Sequence, residues 1–153
     1  MIKTERLKIY TASKEAMEKL IESQTDDEMI KAYSEMLDGC LKHPKQWEWY
    51  AAWIIELEDG TLIGDLCFKG ITQSGSVEIG YGISDEFQGR GYGTEAVDAA
   101  AAWALEQPSV TCVEAEIEPC NTASQRVLEK CGFVPNGVMG EEGPRFMRKR
   151  SET

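Results

Sequence analysis

Gln88-Gly89-Arg90-Gly91-Tyr92-Gly93-Thr94 stands between a strand-like run, Ser76 to Ile83, and a long helix-like run, Gly91 to Glu106. Glycines at such a junction let successive backbone N–H groups point into one concavity, and the first helical turn adds unpaired donors and a positive dipole end. An arrangement of this kind binds a pyrophosphate. No Gly-Lys-Ser/Thr closes the loop, so it is not a Walker A motif, and Thr94 occupies the place of the third glycine in the G-x-G-x-x-G dinucleotide fingerprint. A flexible glycine-rich connector is the competing reading of the loop taken alone.

Outward from this loop, the preceding strand belongs to a β-rich region. Tyr50 to Leu57 and Leu62 to Lys69 are joined by Glu58-Asp59-Gly60-Thr61, the turn chemistry of a hairpin, and Ser76 to Ile83 follows a Gly/Ser turn. Before them, Ile2 to Tyr10 reads as one strand near an edge. Ser13 then caps a helix over Lys14 to Ser23, a second helix runs from Asp26 or Asp27 until Pro44, and Lys42 to Glu48 reads as a loop. After the glycine loop, the helix to Glu106 is rich in alanine on its Val97, Ala101, Ala104 side, which permits close packing on a sheet. Thr111 to Glu118 is a strand, Asn121 to Lys130 a helix, and Phe133 to Val138 and Arg145 to Lys149 are further strand candidates. The order β, α, α, β, β, β, α, β, α, β, β implies an α/β (α+β) fold, with one mixed, mostly antiparallel central sheet and helices on both faces.

A chain of 153 residues fits one domain, residues 1–153. Its 27 acidic and 16 basic residues give a formal charge of −11, a field that repels phosphate backbones and anionic lipid surfaces and favours encounter with cationic amines. Neither nucleic acid nor membrane is an expected partner. No apolar leader and no run long enough to span a bilayer is visible, so a cytoplasmic location is expected. The five cysteines, Cys40, Cys67, Cys112, Cys120 and Cys131, contain no C-x-x-C pair, and His43 is the only histidine, so no metal is expected.

The glycine loop resembles the coenzyme A motif of the GNAT (Gcn5-related N-acetyltransferase) superfamily, Q/R-x-x-G-x-G/A, with Gln88, Gly91 and Gly93 at its fixed positions and Val77-Glu78-Ile79-Gly80-Tyr81-Gly82-Ile83 before it. Asn121-Thr122-Ala123-Ser124-Gln125-Arg126-Val127-Leu128-Glu129-Lys130-Cys131-Gly132-Phe133 resembles the family's N-x-x-S-x-x-V/L-x-x-K-x-G-F block, especially in the branch of ribosomal-protein N-terminal acetyltransferases. The opening Thr4-Glu5-Arg6-Leu7 is similar to the start of that branch. The resemblance implies an N-acetyltransferase that uses acetyl-coenzyme A as co-substrate and acetylates a primary amine, on a small molecule or a peptide N-terminus, by direct attack in a ternary complex. It implies a monomer or homodimer. The coenzyme A contacts would come from Tyr81, Gly82, Ile83, Gln88, Gly89, Arg90, Gly91, Tyr92, Gly93, Thr94, Asn121 and Ser124. The alternatives are a non-catalytic coenzyme A binding or sensing module and, more remotely, a nucleotide-binding domain.

Acetyl transfer from a thioester to an amine needs a neutral amine, a stabilised oxyanion and a proton for the departing thiolate. A carboxylate can accept the amine proton if its pKa is raised or a water relays it. By resemblance Glu116, five residues before Asn121, and Glu78, on the strand that feeds the loop, are the candidates for that role. Either one reads equally as a sheet-surface carboxylate. Leu128 stands where many family members carry a tyrosine acid, so the thiolate proton falls to Ser124 or water. Backbone N–H groups where Ser76 to Ile83 and Thr111 to Glu118 separate would, by the same resemblance, polarise the thioester carbonyl. The Trp47, Trp49, Tyr50, Trp53 cluster reads as core or as an aromatic substrate wall, and Phe146 to Arg150 as a last strand with a solvated basic tail.

Overall fold

A computed structural model describes residues 1–150. Its single sheet has eight strands in the order β1-β2-β3-β4-β5-β6-β8-β7. In chain order the strands are β1 (Ile2–Lys3), β2 (Leu7–Thr11), β3 (Ala52–Leu57), β4 (Leu62–Ile71), β5 (Ser76–Ile83), β6 (Cys112–Glu116), β7 (Val134–Met139) and β8 (Pro144–Lys149). The helices are α1 (Lys14–Ser23), α2 (Asp27–Lys42), α3 (Trp47–Tyr50), α4 (Tyr92–Glu106) and α5 (Thr122–Lys130). Every neighbouring pair is antiparallel except β5 with β6, the pair joined by the crossover helix α4. The mixed, mostly antiparallel sheet expected from the element order is therefore the observed one.

Alternation along β3 divides the interior. Trp53 and Ile55 join the main core with Leu7, Ile9, Phe68, Val77 and the buried alanines of α4, while Ala52 and Ile54 turn to the other face and meet Met17 of α1 and Tyr33 and Cys40 of α2. Ala96, Ala100, Ala101 and Ala104 of α4 are fully buried, so the small side chains bring that helix close onto the sheet.

The opening strand is two strands, because Thr4 and Arg6 turn away from the ladder to bond Glu95 of α4. The segment expected as a loop from Lys42 to Glu48 is shorter: a 3₁₀ turn over Pro44–Gln46 leads straight into α3, which also takes Tyr50 from the expected strand. Trp49 and Trp53 are core residues, packed on Phe68 and Trp103, and the Trp47 indole N–H donates to the Ala12 carbonyl at 3.0 Å. Of the expected basic tail, Arg150 donates to the carbonyls of Leu105, Gln107 and Val110 around the end of α4, and Arg145, just before it, is half-buried among carboxylates. These guanidiniums close exposed carbonyls and pair buried charge, which the sequence pattern of a solvated tail does not convey.

The functional consequence lies between β5 and β6. Their register runs Ser76↔Cys112, Val77↔Val113 and Glu78↔Glu114 and goes no further, although β5 continues to Ile83 and β6 to Glu116. The two strands part, leaving Ile79 to Ile83 without a partner on that side.

Candidate active site

The glycine loop is built by backbone geometry that only glycine adopts cheaply. Gly89 and Gly91 have φ of +77° and +83°, and Gly91 is the N-cap of α4, where no side chain caps the first turn. The amide donors of that turn have no intrahelical acceptor and face outward. Gly93 serves another purpose, since a Cβ there would lie 3.3 Å from the Tyr81 ring and 3.7 Å from Ile83. Its missing side chain lets α4 approach β5.

The loop is braced from the chain's beginning. Arg6 pairs with Glu95 at 2.7 Å, donates to the Arg90 carbonyl at 3.0 Å and lies 4.4 Å above the Tyr92 ring, while the Thr4 hydroxyl donates to the same Glu95 carboxylate. Partial burial pushes the Glu95 carboxyl up, but the bonds from Thr4 and Arg6 outweigh it and hold it below the ordinary glutamate value. Gln88 ties the loop's entrance to β5 by donating to the Ile83 carbonyl at 2.8 Å.

These elements wall a cleft of about 660 Å³ between the loop, the end of β5 and α5. Tyr81, Gly82, Ile83, Gln88, Gly89, Gly91, Tyr92, Gly93, Thr94, Asn121 and Ser124 all line it, whereas Arg90 is not among the lining residues and extends over Phe87. Arg126 and Lys130 also face the cleft, one helical turn apart on α5. Their i, i+4 spacing was the available sequence signal for two cationic groups beside an anion cradle. Free amides, a helix N-terminus and flanking cations make a donor set that fits the phosphates of coenzyme A. Among the described residues there is no group of three or more His, Cys, Asp or Glu able to hold a metal ion.

At the inner end of the cleft the Tyr81 hydroxyl lies 3.3 Å from the Ser124 hydroxyl, to which it donates. Burial pushes the Tyr81 phenol up, the Ser124 bond offsetting part of this, so it stays protonated at neutral pH. Leu128 is buried in the core, and a phenol from β5 therefore occupies the cleft where α5 supplies none. Asn121 caps α5, its side-chain oxygen accepting from the Ser124 amide at 3.1 Å.

Glu78 and Glu116 lie on the opposite face of the sheet and line neither the cleft nor the second cavity described below. Arg145 joins them: its guanidinium reaches Glu78 at 2.9 Å, Glu116 at 2.8 Å and Glu114 at 3.5 Å. Lys69 also pairs with Glu78 at 2.8 Å, and Glu116 accepts from the Glu142 amide at 3.0 Å. Burial pushes the Glu78 carboxyl up, but Lys69 and Arg145 together hold it below the usual range.

That opposite face also contains a cavity of about 400 Å³, and Gly82 and Ile83 line both it and the cleft. The two shared residues lie on β5 beyond the point where β6 has departed.

Comparisons with known proteins bear on the fold and the family. A Bacillus subtilis (strain 168) protein named "Uncharacterized N-acetyltransferase YjdG" is 34% identical over 94 residues, 60% of this chain and 56% of that protein. A second from the same organism, "Probable N-acetyltransferase YjcK", is 33% identical over 93 residues, 60% of this chain and 51% of the relative. The chain thus spans about half the length of these curated relatives. Among solved structures, an acetyltransferase (GNAT family) from Bacillus anthracis superposes with a TM-score of 0.72 at 22% identity, covering 99% of both chains. Spermidine N-acetyltransferase from Vibrio cholerae, solved with CoA and spermine, gives 0.76 at 17% identity, covering 97% of this chain and 98% of the other. At these identities the superpositions establish the fold. The sequence model described as "Acetyltransferase (GNAT) domain" matches residues 4–134, from the Thr4 brace through both glycine-loop and α5 blocks, and on that match the chain belongs to the GNAT acetyltransferase family.

Proposed function

We propose that this chain, acting as a single domain, transfers the acetyl group of acetyl-coenzyme A to a primary amine by direct attack in a ternary complex. The observation that carries the reading is the shared wall: an anion-binding cleft on one face of the sheet and a cavity on the other both open onto Gly82 and Ile83, where β5 has lost its partner strand. A thioester brought along the cleft and an amine brought from the far side would meet there without either displacing the other.

Bound in the cleft, acetyl-coenzyme A supplies an activated acetyl thioester. The free β5 amides beside the parting are the donors available to a developing oxyanion. Ser124, backed by the Tyr81 phenol, supplies the proton for the thiolate. With a leaving thiol of pKa about 8.5, that assistance is modest, and Ser124→Ala or Tyr81→Phe should each reduce kcat by roughly tenfold.

Glu116 and Glu78 are the proposed acceptors of the amine proton, through water, since neither lines the cleft or the cavity and Lys69 and Arg145 hold the Glu78 carboxyl below its ordinary range. Measured at saturating acetyl-coenzyme A, Glu116→Gln and Glu78→Gln should differ clearly. The true base should lose about 10²- to 10⁴-fold in kcat together with the ascending limb of its pH profile. Parental kcat and pH profile in both variants would remove these two glutamates from the role.

A further inference from the structure

The cavity on the α1 and α2 face is chemically lopsided. Leu20 of α1, Ile54 of β3 and Leu62 of β4 give it apolar walls, and Asp65 is the one charged side chain among the described residues that line it. Asp65 sits in register with Ile54 on one side and Gly82 on the other, so its side chain shares their face of the sheet. A Cβ built on Gly82 meets nothing within 4 Å, which leaves open space beside the carboxylate at the wall shared with the cleft. The Tyr33 hydroxyl donates to Asp65 at 2.5 Å, and among the described residues no cationic side chain forms an ion pair with it.

A largely buried carboxylate with one hydroxyl donor and no counter-cation is costly to maintain. A ligand ammonium group would supply the missing charge and up to three donors. The contrast with Glu78, Glu114 and Glu116 is direct, because each of those carboxylates already has a cationic partner in Arg145, and Glu78 a second in Lys69.

We propose that this cavity receives the acceptor, and that Asp65, steadied by the Tyr33 hydroxyl, binds the ammonium group of an aliphatic amine whose chain lies against Leu20, Ile54 and Leu62. The assignment of the ligand as acceptor rests on the acetyl-transfer reading; ammonium binding at Asp65 does not. The formal charge of −11 favours the encounter.

Thermal unfolding in the presence of coenzyme A, with hexylammonium or 1-hexanol added, separates charge from chain. Hexylammonium should raise the Tm of the parent and 1-hexanol should not, and Asp65→Asn should lose the shift. In steady-state assays Asp65→Asn should raise KM for aliphatic amines about tenfold or more while changing the Kd of acetyl-coenzyme A by less than about twofold, the cost of an unmade charge-assisted bond. Leu20→Trp, which narrows the cavity from α1 and leaves the carboxylate alone, should also raise KM for amines and provides the test if Asp65→Asn folds poorly. Equal shifts from hexylammonium and 1-hexanol would overturn the proposal, as would parental KM in Asp65→Asn or, failing that protein, in Leu20→Trp. A parent that acetylates no amine yet shows an Asp65-dependent hexylammonium shift would refute acetyl transfer and leave the ammonium site standing.

Discussion

Gly91→Val should fold and lose acetyl-coenzyme A binding by at least ~10²-fold, because two penalties act together at this residue. Its φ of +83° lies in the left-handed region, where a residue with a Cβ costs about 1–2 kcal/mol and a β-branched one more. Relief by rotating the backbone would re-aim the amides of the α4 N-terminus, and each lost hydrogen bond to a charged phosphate is worth about 1.5–3 kcal/mol. The valine also crowds the Arg6 guanidinium, since a Cβ at Gly91 stands 3.3 Å from it, disturbing the brace to Arg90 and Glu95. Calorimetric titration, with circular dichroism to establish that the variant is folded, measures the effect. A folded Gly91→Val protein with parental affinity would mean that this loop does not hold the phosphates.

The largest stability effect is expected at Arg145. Its side chain is 20% exposed, and those of Glu78, Glu114 and Glu116 are 22%, 24% and 11% exposed, so one guanidinium bridges three carboxylates in a poorly solvated place, with Lys69 a second cation at Glu78 alone. Removing one partner of a fully buried pair costs about 3–5 kcal/mol, and the residual solvent here reduces that to roughly 2–3 kcal/mol for Arg145→Met. For a chain of this size the Tm should fall by on the order of 5–10 °C.

The loss should depend on pH in a stated direction. The folded-state pKa of Glu78 is depressed, so its contribution is fully present above the unfolded value, about 4.3, and is lost as pH falls through the folded value. The gap between parent and variant should therefore be widest near neutrality and narrow below about pH 4. A gap that stays constant down to acid would show that Arg145 acts through packing alone.

Sequence patterning made the sheet and its helices legible because most elements have locally consistent signals: Ser13 caps α1, alanine covers the inner side of α4, and the Asp59-Gly60 turn closes the β3–β4 hairpin. Errors fell where tertiary contacts override local preference. Thr4 and Arg6 leave the ladder for a glutamate 89 to 91 positions away, and Tyr50 follows the α3 turn despite its strand propensity.

The glycine loop's place at a strand-to-helix junction was legible, but a flexible connector reads the same way in sequence, and the second block, Asn121 to Phe133, is what favoured an anion cradle. Asp65 was not legible. A lone aspartate on one face of a hairpin strand is indistinguishable in sequence from a solvated one, and its meaning comes from Tyr33, 32 positions earlier, and from an empty place at Gly82. Tyr81 was legible as a cleft residue, while its hydroxyl's approach to Ser124 depends on how α4 and α5 pack on β5.

The most direct measurement is a turnover assay in which the protein receives acetyl-coenzyme A with each member of a panel of primary amines and amine-terminated peptides, and both free thiol and acetylated product are quantified. Thiol release that requires an amine, saturates in both substrates and matches the acetylated product mole for mole is the expected result. Tight binding of acetyl-coenzyme A with no thiol release above the protein-free rate across the whole panel would contradict acetyl transfer and identify the cleft as a coenzyme A binding or sensing site.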